Sequence, residues 1–241
     1  MIDSAVTLPQ DYARDLQRVT LAVYERYAEE VVERFGFCPW ARAARESGEV
    51  VLRVVFSANP DEFNESLDVL GELSRAPDAP DIALLLYPLL DVDRLAFEDF
   101  ARRLRAHAEH GSPKLDTYAM AAFHPDATAD LSHPDKLVPY VRRSPDPSLQ
   151  LVRNSALSGI KGLTSGTAFL DVSALSAEAF KALAEPPPKA LRERIAEQNL
   201  LTVTQTGPAV IEAVLADIAS DRERAHQALL SSHGRRGPRR P

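Results

Sequence analysis

The side chains with chemical potential gather in two places along the chain. One holds the tripeptide His124-Pro125-Asp126, its repeat His133-Pro134-Asp135, and the pair Arg142-Arg143 followed by Ser144-Pro145-Asp146-Pro147. Imidazole and carboxylate together suit zinc, manganese or ferrous iron. His124, Asp126, His133 and Asp135 are therefore candidate metal ligands, although their spacing matches no established metal motif. Each proline fixes its own φ and biases the preceding histidine towards extended backbone, which stiffens the approach of the ring. A plainer reading stands beside this one: a strand-end histidine at 124, an exposed loop histidine at 133, and two aspartates that form turns. The guanidinium fork fits carboxylate and phosphate, and arginine is rarely buried without a partner. Arg142 and Arg143 are thus candidates for a clamp on an anionic substrate group, with ordinary salt bridges as the alternative.

The other place is Phe37-Cys38-Pro39-Trp40, which holds the single cysteine. Proline is favoured at the first position of a helix. A helix from Pro39 to about residue 48 would put Cys38 at its N-cap, where backbone N–H groups and the helix dipole lower a thiol pKa. That geometry makes a nucleophile or a metal ligand. The alternative is a small buried hydrophobe between Phe37 and Trp40.

Periodicity supplies the elements that position these groups. Residues 9–35 read as a helix, with Leu16, Val19, Val23, Tyr24, Tyr27, Val31 and Phe35 on one face and Gly36 as its stop. Strands are expected over 49–57, 82–87 and 115–123, with helices opening at 59 and spanning 93–110. Both faces of 82–87 are apolar, as in a covered central strand. Alternation of strand and helix implies right-handed crossovers and three parallel strands. The segment after the third strand would leave from a carboxyl edge, where open α/β sheets place ligands. Residues 123–153 read as a long proline-punctuated loop, with a helix over 148–160 that turns Arg153 back towards it. Beyond lie an edge strand at 167–172, a short helix at 176–184, a rigid Pro186-Pro187-Pro188 joint and helices at 189–206 and 208–230. The last two would cover the sheet or form a partner surface.

The expected fold is α/β (or α+β): a small, mostly parallel sheet of three to four strands under a long N-terminal helix and C-terminal helices. It forms one domain over 1–232, with a disordered basic tail at 233–241. The chain has 241 residues, 45% of them hydrophobic, which suffices for a full core. Its net charge of −7 argues against a nucleic-acid or anionic-membrane binder. One cysteine excludes an intramolecular disulfide and a multi-thiolate zinc cage. No basic start with an apolar run marks a signal peptide, and no apolar run reaches the roughly 20 residues that span a bilayer. A cytoplasmic location is expected. Glycine-rich phosphate loops, dinucleotide fingerprints and serine elbows are lacking.

Several pieces occur together in order: Cys38-Pro39-Trp40-Ala41, Phe123-His124-Pro125, Arg143-Ser144-Pro145 with Pro147, Leu149, Leu151-Val152-Arg153, and residues 195–199. They resemble a bacterial family catalogued as domain of unknown function 1415, over most of 31–201. The resemblance implies no assigned activity. It places Cys38, His124, Arg143 and Arg153 on motif positions. The family pattern carries a histidine where this chain has Gln150 and a glutamate where it has Asn154.

The leading expectation is a small-molecule enzyme acting on an anionic substrate. Cys38 would be nucleophile or ligand, His124 the general base or second ligand, and Arg142, Arg143, Arg153 and Trp40 the substrate contacts. Two alternatives belong to other classes. A non-catalytic sensor would hold a divalent metal or haem through Cys38 and a histidine, and would show a visible absorption band or a bound metal. An interaction scaffold would expose an apolar stripe on 208–230.

Overall fold

The computed structural model describes residues 8–76, 79–111, 118–156 and 190–234. Helix α1 spans Gln10–Tyr27 and buries Tyr12, Leu16, Thr20, Val23 and Tyr27, the face the apolar spacing predicts. It runs on as a π-helical segment, Ala28–Glu33, and ends in a turn where Gly36 takes φ +65°, a conformation glycine adopts without a Cβ clash. Helix α2, Ala41–Glu46, has Trp40 at its N-cap. The helix therefore begins after Pro39, and Cys38 is not its cap, against the expectation. Cys38 and Pro39 occupy the preceding turn, where the Cys38 carbonyl accepts the Ala41 N–H at 3.2 Å.

Strand β1 (Val50–Val54), helix α3 (Asn64–Arg75), strand β2 (Ile82–Leu86), helix α4 (Arg94–Gly111) and strand β3 (Tyr118–Phe123) follow in the expected alternation. The next stretch departs from it. Residues 123–153 are not one loop: they contain helix α5 (Pro134–Val141) and strand β4 (Ser148–Arg153). The helix expected from residue 148 is a strand instead, because Leu149 and Leu151 alternate with Ser148 and Gln150. That two-residue period puts both leucines, each 0% exposed, on one face.

The sheet order is β1-β2-β4-β3. β1 and β2 pair in parallel, whereas β4 runs antiparallel to β2 on one side and to β3 on the other. β1, β2 and β3 therefore do share a direction, as expected. β4 has inserted between β2 and β3, so two of the three pairings are antiparallel. Ala83 and Leu85 of β2, Leu149 and Leu151 of β4, and Tyr118 of β3 pack against Leu70 and Leu73 of α3 and Phe97, Phe100 and Leu104 of α4.

Helix α6 (Leu191–Thr206) and helix α7 (Pro208–Ser232) are divided by Gly207 at φ +84°. Val203, Ile211, Leu215 and Ile218 join Val23, Tyr27 and Val31 of the N-terminal helix and Leu137 and Tyr140 of α5 in a second, helical core. The apolar positions of α7 are thereby used inside the fold, and Val210 is the large hydrophobic of α7 left exposed. Arg26 on α1 pairs with Asp217 and Asp221 on α7. His233, read from sequence as the start of the tail, caps α7 and reaches Asp15 Oδ2 with Nε2 at 3.2 Å. The edge strand at 167–172, the helix at 176–184, the triproline joint and residues 235–241 lie outside the described residues. Among the described residues, no helix is long and apolar enough to cross a membrane.

Candidate functional site

Because β1, β2 and β3 run together, their carboxyl ends meet at one edge, and β4 starts there: Phe123 stands opposite Ser148 and Leu86 opposite the same residue. The segment 124–147 leaves and re-enters the sheet at this edge. Its backbone is closed by the His124 N–H donating to the Arg142 carbonyl at 3.1 Å. The His124 ring is 4% exposed and lies against Phe97. Its Nδ1 accepts the Asp126 N–H at 3.1 Å, so Nε2 is the donor to the Val92 carbonyl at 2.9 Å. Both ring nitrogens are thus engaged in holding two loops together. His133 repeats the local turn, with Nδ1 accepting from Asp135 N–H at 3.3 Å, but its side chain is 61% exposed and caps α5.

The two adjacent arginines separate. Arg143 turns to the helical core: Nε donates to the Pro125 carbonyl at 2.9 Å, one terminal nitrogen pairs with Glu212 of α7 at 2.6 Å, and the fork lies over the Tyr140 ring. Arg142 turns to the sheet edge and lies over the Phe123 ring. It borders a small recess with His124, Ala122, Pro139, Arg94 and Glu98. Downstream, Asp146 (4% exposed) accepts from Arg222 of α7 at 2.5 Å, and the Ser144 and Ser148 hydroxyls bond to each other. That knot fixes the chain on entry to β4.

The helical core holds a polar group with nothing to bond among the described residues: the Tyr27 hydroxyl, on a residue 0% exposed, has no hydrogen-bond partner there, and neither does the Thr20 hydroxyl earlier on α1. Burying a hydroxyl unsatisfied costs about 1–3 kcal/mol, so each such group calls for an explanation. Cys38 acts on Tyr24, and Arg143 acts on Tyr27 and Tyr140. Burial pushes the Tyr24 phenol up, and the Cys38 charge pushes it further the same way. Tyr24 and Tyr27 rings meet at 5.7 Å. Burial likewise holds Tyr27 well above the usual tyrosine value, Tyr24 adds to that, and Arg143 opposes it. Tyr140 is raised first by burial, then by the charge of Glu212 and by hydrogen bonding of the phenol to that carboxylate, with Arg143 opposing. Cys38 itself is half-buried and unoxidised. Its turn is pinned from both sides: the Phe37 N–H donates to the Val32 carbonyl of the π-helical segment, and Asn199 of α6 donates to the Phe37 carbonyl at 3.3 Å. A π-helical turn of this kind recurs at functional sites.

Cys38 thus bears on Tyr24 and Arg143 on the adjoining Tyr27, while the His124 ring bonds to the Val92 carbonyl and the Asp126 N–H. Trp40 is 41% exposed at the start of α2. Arg153 is not brought to this edge. It ends β4 beside Asp81 at 3.4 Å, roughly 17 Å along the strand from Ser148. A helix would have turned it back; a strand carries it away. Among the described residues no group of three or more His, Cys, Asp or Glu is placed to hold a metal, so His124, Asp126, His133 and Asp135 do not form one ligand set. Sequence reasoning missed Tyr24, Tyr27, Tyr140, Glu212 and Asn199. The available signal was tyrosine on an apolar helix face, since a buried phenol normally needs a partner for its hydroxyl.

No curated protein and no solved structure matches the chain. A family profile described as protein of unknown function (DUF1415) matches residues 20–164, which include Cys38, the 124–147 segment and β4. The chain belongs to that family.

Proposed function

We propose that this protein is a small-molecule enzyme whose site lies in the helical core between α1, the Cys38 turn, α5 and α7. Arg143 holds the anionic group of the substrate, the Tyr27 and Tyr140 hydroxyls donate to its oxygens, and Cys38 is the nucleophile. The observation that carries this reading is the Tyr27 hydroxyl: wholly buried, without a partner among the described residues, within the field of Arg143 and against Tyr24, whose phenol feels Cys38. A bound oxyanion would satisfy what the protein leaves open. Glu212 occupies one nitrogen of the Arg143 fork, and an anion would share or displace it. His124 serves by holding the Pro125 carbonyl against Arg143, not by moving a proton.

The test uses succinate and citrate as carboxylate probes in thermal unfolding. Saturable stabilisation is expected in the native protein and in Cys38→Ser. It should be lost in Arg143→Gln and in Tyr27→Phe. Stabilisation that survives both of those substitutions, or none with either probe, would count against the reading. Cys38→Ser is also expected to leave the unprobed melting temperature nearly unchanged, since the thiol is half-buried and in no disulfide.

A further inference from the structure

The buried stripe of α7 changes character partway along. Ile211, Leu215, Ile218 and Leu229 are buried on it. Between the last two, the same spacing of three and four places Arg222 and His226. α7 runs antiparallel to α1, with Asp217 and Asp221 against Arg26 at one level and His233 against Tyr12 and Asp15 at another. Thr20 falls midway between those anchors on α1, so it stands at the level of Arg222 and His226. A polar layer thereby interrupts an apolar helix pair.

The charges in this layer are already committed. Arg222 Nε donates to Asp146 at 2.5 Å and Nη2 donates to the Pro88 carbonyl at 3.3 Å, and Asp146 is 4% exposed. The Nε2 atom of His226 is shut off from solvent and has no hydrogen-bond partner among the described residues; neither has the Thr20 hydroxyl. A proton on Nε2 would thus lie buried, without an acceptor, one turn from a guanidinium whose carboxylate is engaged. Burial first and Arg222 second hold His226 below the ordinary histidine value, against the pull of Asp146 and Glu223. Glu223 is exposed and accepts from Gln227. On α1, Asp15 pairs with Arg18, Arg26 is held by the acids of α7, and Glu25 is exposed. No carboxylate of α1 at this level is free to receive the proton.

We propose that His226 makes α7 a pH-sensitive latch: its neutral ring lets the helix close on α1 and on the 144–148 segment, and its protonation drives the C-terminal half of the helix open. Opening withdraws Arg222 from Asp146, so the entry to β4 loosens with the helix. The sign follows from linkage. The closed state holds the proton less tightly than the open one, so the open chain takes it first as pH falls. The stability contributed by the neutral ring is complete above about pH 7, begins to fall near the ordinary value of about 6.5, and is lost once the pH is below the closed-state value. Cys38 and Arg143 take no part, so this latch stands or falls independently of the anion site.

The experiment follows the native full chain in two ways. The His226 ring is titrated by NMR, and a midpoint below about 6.5 is expected. Hydrogen exchange of residues 220–232 is measured by mass spectrometry between about pH 7.5 and about pH 5.5, with rates corrected for the pH dependence of a free amide. Protection is expected to fall on acidification, at a slope approaching tenfold per pH unit where one proton is taken up. His226→Gln keeps a neutral polar group of similar size and should abolish most of that fall. His233→Gln alters the other imidazole of the helix and should leave the fall in place. A His226 ring that titrates at or above about 6.5 overturns the proposal. So does protection that does not change with pH in the native chain, or a fall that His226→Gln retains or that His233→Gln removes.

Discussion

Arg142 and Arg143 are neighbours in the chain and opposites in the fold. Arg143 has a carboxylate, a carbonyl and an aromatic face in the helical core. Arg142 has an aromatic face and a repelling arginine at the sheet edge. The closing turn of α5 explains the split. Arg142 is the C-cap of that helix at φ −100° and ψ 27°, and the Arg142 and Arg143 N–H groups bond back to the Pro139 and Tyr140 carbonyls, so successive side chains leave the turn about 100° apart. One arginine is thereby built into the protein, and the other is left for something else. The difference teaches that a basic pair in a sequence is two separate claims, each decided by the partner its own side supplies.

Substitutions can break that comparison in order of expected effect. The largest should come from the knot that fixes both arginines' backbone. Asp146→Asn removes the buried charge facing Arg222, leaves that guanidinium uncompensated, and should cost about 3–5 kcal/mol in urea unfolding. Arg143→Met leaves the Pro125 carbonyl and Glu212 without their donor, and a loss of about 1–2 kcal/mol is expected. Tyr27→Phe should move stability the other way, raising it by about 1 kcal/mol, because it deletes a buried hydroxyl that has no partner among the described residues. A loss there would mean that the hydroxyl is satisfied inside the protein. Arg142→Met should have the smallest effect, between no change and a gain of about 1 kcal/mol, since it removes a part-buried charge with no ion pair among the described residues. If Arg142→Met destabilised more than Arg143→Met, the assignment of the two arginines would be reversed.

Much of the fold is legible in the residues, and the reasons are physical. The apolar stripe from Leu16 to Val31 is long enough for the 3.6-residue period to be unmistakable, and α1 with its π-helical continuation follows it. The β1-α3-β2-α4-β3 alternation is marked by valine-rich and leucine-rich runs between turn residues. β4 is not legible in the same way. In six residues the leucine spacing of Ser148–Arg153 fits either period, and only pairing with β2 and β3 decides it. The short α2 fails for a related reason: proline permits a helix start at Pro39 without requiring one. The two His-Pro-Asp tripeptides show the limit most plainly. Sequence predicts a like turn at each, and both form it, with Nδ1 accepting from the residue two further on. Whether the ring is buried at 4% exposure or left at 61% depends on Phe97 and Val92, which are remote in sequence. The cysteine and Arg143 could be singled out by type. The tyrosines read as core from sequence, and the Tyr27 hydroxyl, without a partner among the described residues, marks them otherwise.

The account turns on Cys38 and Arg143 sharing one electrostatic environment, and a single cysteine makes that directly measurable. The measurement is the rate of Cys38 alkylation, followed by mass spectrometry, with anionic iodoacetate and neutral iodoacetamide at the same pH. The ratio of the two rates cancels accessibility and thiolate fraction, leaving the charge felt by the incoming reagent. Any guanidinium within about 10 Å of a thiolate, at an effective dielectric of about 20, shifts such a ratio roughly tenfold. The ratio is expected to favour iodoacetate in the native protein relative to glutathione and to fall by about that factor in Arg143→Gln, with Arg142→Met unchanged. An equal ratio in the native protein and Arg143→Gln would show that the sulfur and this arginine do not serve one site.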